Sequence, residues 1–237
     1  MYEQLNIKPL CMTVDGETIA GRQVASTEAT APTTLFLHGG GKSSGERVMY
    51  LMTPLAERGM SSVAIDFSGH GRSTGRLEES SLRKRTLEAA SALNWLDKSQ
   101  PATLCGSSMG AHNAIRLLQY VPARALILFC PAVYSRTAFD VPFNKGFSKI
   151  IREPDSWRNS ETFDILSNFT GRLLVLIGSR DGVIPQELPE TLLQSASHAS
   201  CKELFTVSDA DHFLHAWIKQ HPAVLSDVLS KLSDYLS

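Results

Sequence analysis

A mostly parallel, doubly wound α/β sheet is the fold that this 237-residue sequence predicts. Two patterns predict it: short apolar runs without polar alternation, and helical stretches with one apolar stripe between them. A strand covered by helices on both faces has no solvent side, so it reads as a continuous apolar run. Strands that alternate with helices build a parallel sheet. A third pattern, two strand-like segments around Asp15-Gly16, adds an antiparallel hairpin at the N-terminal end.

The elements follow in order. Leu10–Val14 and Thr18–Val24 form the hairpin. Thr33–Leu37, Ser62–Asp66, Ala102–Cys105, Ala125–Cys130 and Leu173–Ile177 are buried strands, and Leu204–Val207 is a further strand-like run. Val48, Leu51, Met52, Leu55 and Ala56 share one face of a helix that Arg58-Gly59 stops. Leu82–Leu96 and Met109–Leu118 are two more helices. The rhythm breaks at residues 131–170, which hold seven of the 18 aromatics. Pro131, Pro142 and Pro154 forbid one long helix there, so the stretch reads as a short lid-like insertion with one or two short helices. Its rings either pack a core of their own or line a substrate pocket, and Phe143 and Phe147 are the expected pocket residues. With neither a linker nor an internal repeat, residues 1–237 read as a single domain.

Composition narrows the function. Lys+Arg number 23 against 24 Asp+Glu, a formal charge of -1, so no basic excess draws the chain to nucleic acid. The longest strongly apolar run, 125–133, falls far short of the roughly 20 residues of a membrane span. Cys11, Cys105, Cys130 and Cys201 are scattered, with no C-x-x-C pair for a metal or redox site. No signal peptide is visible in the first ten residues, and a reducing, cytoplasmic setting is expected. The expected partner is a small-molecule substrate, without nucleic acid or membrane; a homodimer stays open. No cofactor and no metal are expected.

The pattern G-x-S-x-G, which marks a nucleophilic serine on a sharp strand-to-helix turn, occurs three times: around Ser43, Ser73 and Ser108. Chance supplies about 0.1 matches in a chain of this composition, so the loops rich in Gly and Ser make the pattern alone indecisive. Context separates the three. Only at Ser108 does a strand run straight into the first glycine while a helix opens behind the second. Ser107 stands at the wrong position between the glycines. A serine also needs a base, and the base needs a carboxylate to orient it. Asp181 follows the strand ending at Ile177, and His212 follows the run ending at Val207. The order Ser, Asp, His suits this architecture. Asp209 and Asp211 are rival acids, and Asp211 is too close in sequence to face His212 productively. His38 and His70 read as structural hydrogen-bonders and His112 as facing a partner layer or solvent. His198, His215 and His221 read as surface or helix-end residues. His212-x-x-His215 lacks a third zinc ligand. Oxyanion donors are expected at the Met109 N–H and in the loop His38-Gly-Gly-Gly41, where glycine admits close backbone approach. Gly41-Lys42-Ser43 imitates a phosphate-binding loop, but Phe36 stands where its first glycine belongs.

With these segments in line, the sequence resembles the α/β-hydrolase superfamily over nearly its whole length. The resemblance rests on Leu35–Gly41, Ile65–Ser73, Cys105–Ala111, Gly178–Pro185 and Asp209–Phe213. In layout it is similar to small bacterial esterases, the cinnamoyl and feruloyl esterases among them. That likeness implies a serine hydrolase with Ser108, Asp181 and His212 as triad and Gly40 and Met109 as oxyanion donors. The implied reaction is cleavage of carboxylic esters of small to medium apolar or aromatic substrates. A thioesterase, small amidase or peptidase using the same triad stays open, as does a binding protein without turnover. Ser107 departs from the family, where His or another residue is usual.

Overall fold

The computed structural model describes residues 5–26 and 31–236. Met1–Gln4, part of the segment read for a signal peptide, lie outside the described residues. Among the described residues eight strands form one sheet: β1 Asn6–Val14, β2 Glu17–Ala25, β3 Thr34–Leu37, β4 Ser62–Ile65, β5 Ala102–Ser107, β6 Ala123–Phe129, β7 Arg172–Gly178 and β8 Cys201–Val207. Their spatial order is β1-β2-β4-β3-β5-β6-β7-β8. The pairs β1/β2 and β2/β4 are antiparallel and every later pair is parallel. The mostly parallel doubly wound sheet with its N-terminal hairpin is therefore present. Asp15 and Gly16 both take positive φ, 48° and 80°, the two-residue turn whose twist matches the flanking strands.

Among the described residues eight α-helices connect and cover the strands: α1 Met49–Ala56, α2 Leu82–Ala92, α3 Met109–Leu117, α4 Ser148–Arg152, α5 Thr162–Ser167, α6 Leu188–Ser195, α7 Leu214–Gln220 and α8 Pro222–Leu236. α1 packs with α8, while α2, α3, α5 and α6 pack in succession. The central strands are buried over most of their length, as with Leu35–Leu37 and Ala125–Phe129. None of the described helices is long and apolar enough to cross a membrane. Cys105 and Cys130 are buried, Cys11 and Cys201 exposed, and all four are free thiols.

Two connections matter for the site. From β3 the chain crosses through α1 to β4 on one side, then returns through α2 to β5 on the other side of β3. This reversal opens a crevice at the C-terminal ends of β3 and β5, where ligands bind in open α/β sheets. Residues 131–170, which include α4 and α5, lie against α2 and α3. Phe143 N–H donates to the Ser80 carbonyl, Arg83 N–H donates to the Phe139 carbonyl, and Arg116 pairs with Glu161.

Candidate active site

The turn after β5 is built by two absent side chains. A Cβ on Gly106 would stand 2.5 Å from the Gly110 carbonyl oxygen, and one on Gly110 would stand 2.3 Å from that of Leu37. Glycine at both places lets α3 start directly under the ends of β3 and β5. Between them Ser108 takes φ 49° and ψ −117°, a conformation that costs a non-glycine residue about 1–3 kcal/mol and clusters at functional sites.

Ser108 Oγ lies 3.1 Å from His212 Nε2, and His212 Nδ1 lies 2.9 Å from Asp181 Oδ2. The carboxylate only accepts, so the proton sits on Nδ1 and the Nε2 lone pair faces the serine hydroxyl. Asp181 Oδ1 takes the N–H groups of Val183 and Ile184, at 2.8 and 3.0 Å. Burial pushes the Asp181 carboxyl upward, but the bonds from His212, Ile184 and Val183 outweigh it and hold the group below its ordinary value. The three predicted residues from β5, β7 and β8 thus converge. The rival acids do not. Asp209 pairs with Arg180, and Asp211 is exposed and accepts the Phe213 N–H.

The other two serine motifs serve different ends. Ser73 accepts the Ala20 N–H at 2.8 Å and bonds to the Asp66 carbonyl, tying its loop to β2. Ser43 borders the cavity beside Ser108. That cavity, about 80 Å³, is walled by Gly39, Gly40, Phe129, Phe213 and Leu214 among others. Gly40 lies against Met109: a Cβ on it would meet the Met109 side chain at 3.3 Å. The loop carrying one predicted oxyanion donor is thus packed on the residue that supplies the other.

Two further features had gone unread. Arg85 on α2 is fully buried, and its Nη2 donates to the carbonyls of His38, at 2.6 Å, and Gly39, at 3.1 Å. Burial pushes its guanidinium down to about 10, which leaves it charged at neutral pH. Its signal was a cation in a buried helical stripe with Leu82, Thr86 and Ala89. The second is a relay beside the first: Ser107 Oγ lies 2.6 Å from His215 Nε2, and His215 Nδ1 lies 3.0 Å from the Tyr50 hydroxyl.

Two expectations need correction. His215 stands at the start of α7, a helix-end position as expected, but it is buried and not at the surface, because both ring nitrogens find partners inside. Of the two placements open to His112, the structure has the partner layer: the ring is buried against Tyr134 and Phe139. Phe143 and Phe147 line neither the cavity at Ser108 nor the groove next to it. Phe147 packs with Leu82 and Ala138, with Phe143, Tyr134 and Phe139 around them, since clustering these rings over α2 removes more apolar surface from water than facing an open crevice. His38 accepts the Phe67 N–H at 3.1 Å, and His70 bonds to the Ser68 carbonyl, both structural roles.

A family model described as serine aminopeptidase, S33 matches residues 29–155. Solved structures share the fold. A hydrolase from Agrobacterium vitis S4 is 20% identical with a TM-score of 0.71, covering 99% of this chain and 100% of that one. The thioesterase domain of the curacin biosynthetic pathway is 19% identical with a TM-score of 0.69, covering 94% and 99%. Est1E from Butyrivibrio proteoclasticus, solved with ferulic acid, is 19% identical with a TM-score of 0.67, again covering 94% and 99%.

Proposed function

Because the chain belongs to the serine aminopeptidase, S33 family of α/β hydrolases, we propose that it cleaves carboxylic esters of small to medium substrates through an acyl intermediate on Ser108. The observation that carries the proposal is the unbroken relay from Ser108 Oγ through His212 to Asp181 at the sheet's reversal point. In this reading His212 takes the Ser108 proton as Oγ attacks the carbonyl carbon. Asp181 stays ionised and stabilises the imidazolium. The N–H groups of Met109 and Gly40 receive the oxyanion, and the positive end of α3 adds to them. His212 then passes the proton to the departing alcohol, and water, deprotonated by His212, releases the acid.

Arg85 is a positioning residue in this scheme. The Gly39 carbonyl and the Gly40 N–H belong to one trans peptide and point in opposite directions. A guanidinium that holds the carbonyl toward α2 therefore turns the N–H away from α2. The apolar or aromatic part of the substrate meets Phe129, Phe213 and Leu214 instead of the rings of residues 131–170. Residues 1–237 act as one catalytic unit in which that insertion braces α2 and α3. A thioesterase or peptidase action is the second reading, favoured by the family's description and by the curacin thioesterase fold.

A fluorophosphonate probe followed by peptide mapping tests the nucleophile, with Ser108 the expected adduct. Labelling of Ser43, Ser73 or Ser107 instead overturns the assignment, and no labelling with no turnover points to a binding protein. Ser108→Ala and His212→Ala are expected to lose at least ~10³-fold in kcat while folding normally. Matched p-nitrophenyl esters, acyl thioesters and aminoacyl p-nitroanilides rank the two readings.

A further inference from the structure

The cavity beside Ser108 shares Ser43, Arg47 and His215 with a groove of about 810 Å³ that runs along the Gly41–Tyr50 segment and the start of α7. The charge along this groove is one-sided. Lys42, Arg47 and Lys219 line it, and none of them has a carboxylate within ion-pair reach among the described residues. The one carboxylate in the wall, Glu46, is turned to Arg22. Among the described residues the Arg47 guanidinium makes one hydrogen bond, from Nη2 to the Lys42 carbonyl at 3.0 Å, which leaves most of its donor fork unused. The remaining polar wall carries no negative charge. His215 spends both ring nitrogens on Ser107 and Tyr50, and His70 is held by the Ser68 carbonyl. Three like charges around one concavity repel one another, and a cleft of one sign concentrates ligands of the other.

We propose that one arm of the substrate ends in an oxyanion, a carboxylate or a phosphate, that seats in this groove. Arg47 stands at the junction closest to the scissile bond, and Lys42 and Lys219 line the groove beyond it. The inference rests on the ester-hydrolase reading and narrows its substrate class to esters that carry a negative charge. The glycine-rich Gly39-Gly-Gly-Lys-Ser-Ser-Gly45 stretch thereby acquires a role that a phosphate-binding loop signature had failed to explain. Its first glycines hold the oxyanion loop, and its Lys42 and Ser43 face the groove.

The test compares charge-matched ester pairs at low ionic strength. Mono-p-nitrophenyl glutarate against p-nitrophenyl valerate places the charge on the acyl arm. 4-Carboxyphenyl butyrate against phenyl butyrate places it on the alcohol arm. The expected result is a kcat/KM ratio of about tenfold or more for the charged member of one pair, falling as salt is added. In Arg47→Gln that ratio falls to near one, while Lys149→Gln, an exposed cation on α4, keeps it. A ratio near one in both pairs, or one that Arg47→Gln leaves unchanged, overturns the inference and leaves the ester reading standing. If no ester is cleaved, calorimetry on Ser108→Ala with glutaric mono-p-nitroanilide and p-nitrovaleranilide decides instead. Tighter binding of the charged anilide, lost when Arg47→Gln is added, supports the groove while the ester reading fails. Equal binding of both anilides overturns the groove as well.

Discussion

Replacing Arg85 with methionine keeps the volume of the buried stem and removes the donors that hold the proposed oxyanion loop. The His38 carbonyl loses its partner, the Gly39 carbonyl loses one of two, and Asn113 Oδ1 loses the Nε–H at 3.3 Å. Complete loss of one oxyanion donor costs about 10²–10³ in kcat. The loss here is smaller, because His38 Nδ1 still lies 2.8 Å from the Gly39 carbonyl oxygen and restrains the same peptide. The expected drop is therefore about 10–10²-fold in kcat, or roughly 1.4–2.7 kcal/mol of transition-state stabilisation. KM should change by less than about threefold, since the interaction strengthens only as charge develops on the oxygen. The assay is steady-state hydrolysis of p-nitrophenyl acetate, with the Ki of a trifluoromethyl ketone as a second readout. The ketone's hemiketal oxyanion occupies the same donors, so its Ki should rise in step with the fall in kcat/KM. Arg85→Lys, which keeps the charge but not the fork, should fall between the two. Melting temperature does not discriminate. An unsatisfied carbonyl destabilises the variant while removal of a deeply buried charge offsets part of that cost. A kcat within twofold of wild type, or a rise in KM alone, would refute the positioning argument.

Asp181→Asn should lower kcat by ~10³-fold or more, because an amide favours the wrong imidazole tautomer. Asp209→Asn and Asp211→Asn should stay within a few-fold, and a reversal of that order in the same ester assay removes Asp181 from the proposed triad. Stability should fall as pH drops from about 6.5 toward 3, since burial pushes His112 and His215 down to about 3 and the unfolded chain binds their protons first. Urea melts of His112→Gln across that range should show a shallower slope than wild type. Asp181, whose carboxyl is held low, contributes stability that persists above its ordinary value of 3.8 and disappears below it as the folded carboxyl protonates. Phe147→Ala should cost about 3–5 kcal/mol of unfolding free energy and leave the ratio of aromatic to aliphatic ester hydrolysis unchanged. A selectivity change of tenfold without loss of stability would return that ring to the pocket.

The sheet was legible because its physics is local. A strand buried on both faces is written as an unbroken apolar run, so Leu35–Leu37, Ala125–Phe129 and Leu173–Leu176 announce themselves. The convergence of Ser108, Asp181 and His212 was legible for a related reason. Each follows the end of a parallel strand, and parallel strands end on one edge. What stayed hidden depends on partners remote in sequence. Ser107 and His215 are 108 residues apart, and Tyr50 and His215 are 165 apart. No spacing rule joins them. The insertion misled for a different reason: its aromatic content shows that the rings are buried, but burial does not say against what. Phe147 is buried against Leu82 and Ala138, whereas Trp157 and Phe169 join the main core.

The adjacent serines show why geometry has to be read together with charge. Ser107 and Ser108 each approach a histidine within hydrogen-bond range, and the Ser107 contact is the shorter, 2.6 against 3.1 Å. Distance alone would choose Ser107. The relays end differently. Behind His212 stands the Asp181 carboxylate, which in the proposed mechanism compensates an imidazolium as it forms. Behind His215 stands the Tyr50 phenol, and burial drives that phenol further from ionisation. Burial, with the Arg47 charge adding to it, pushes His215 down to about 3, too weak a base to hold a serine's proton at neutral pH. Backbone geometry adds to this: Ser107 is the last residue of an extended strand, while Ser108 sits at the strained turn that lifts its hydroxyl clear of the sheet. The Ser107 relay is better suited to fixing the wall between cavity and groove, where a neutral, fully bonded histidine leaves the charge of Arg47 undiminished.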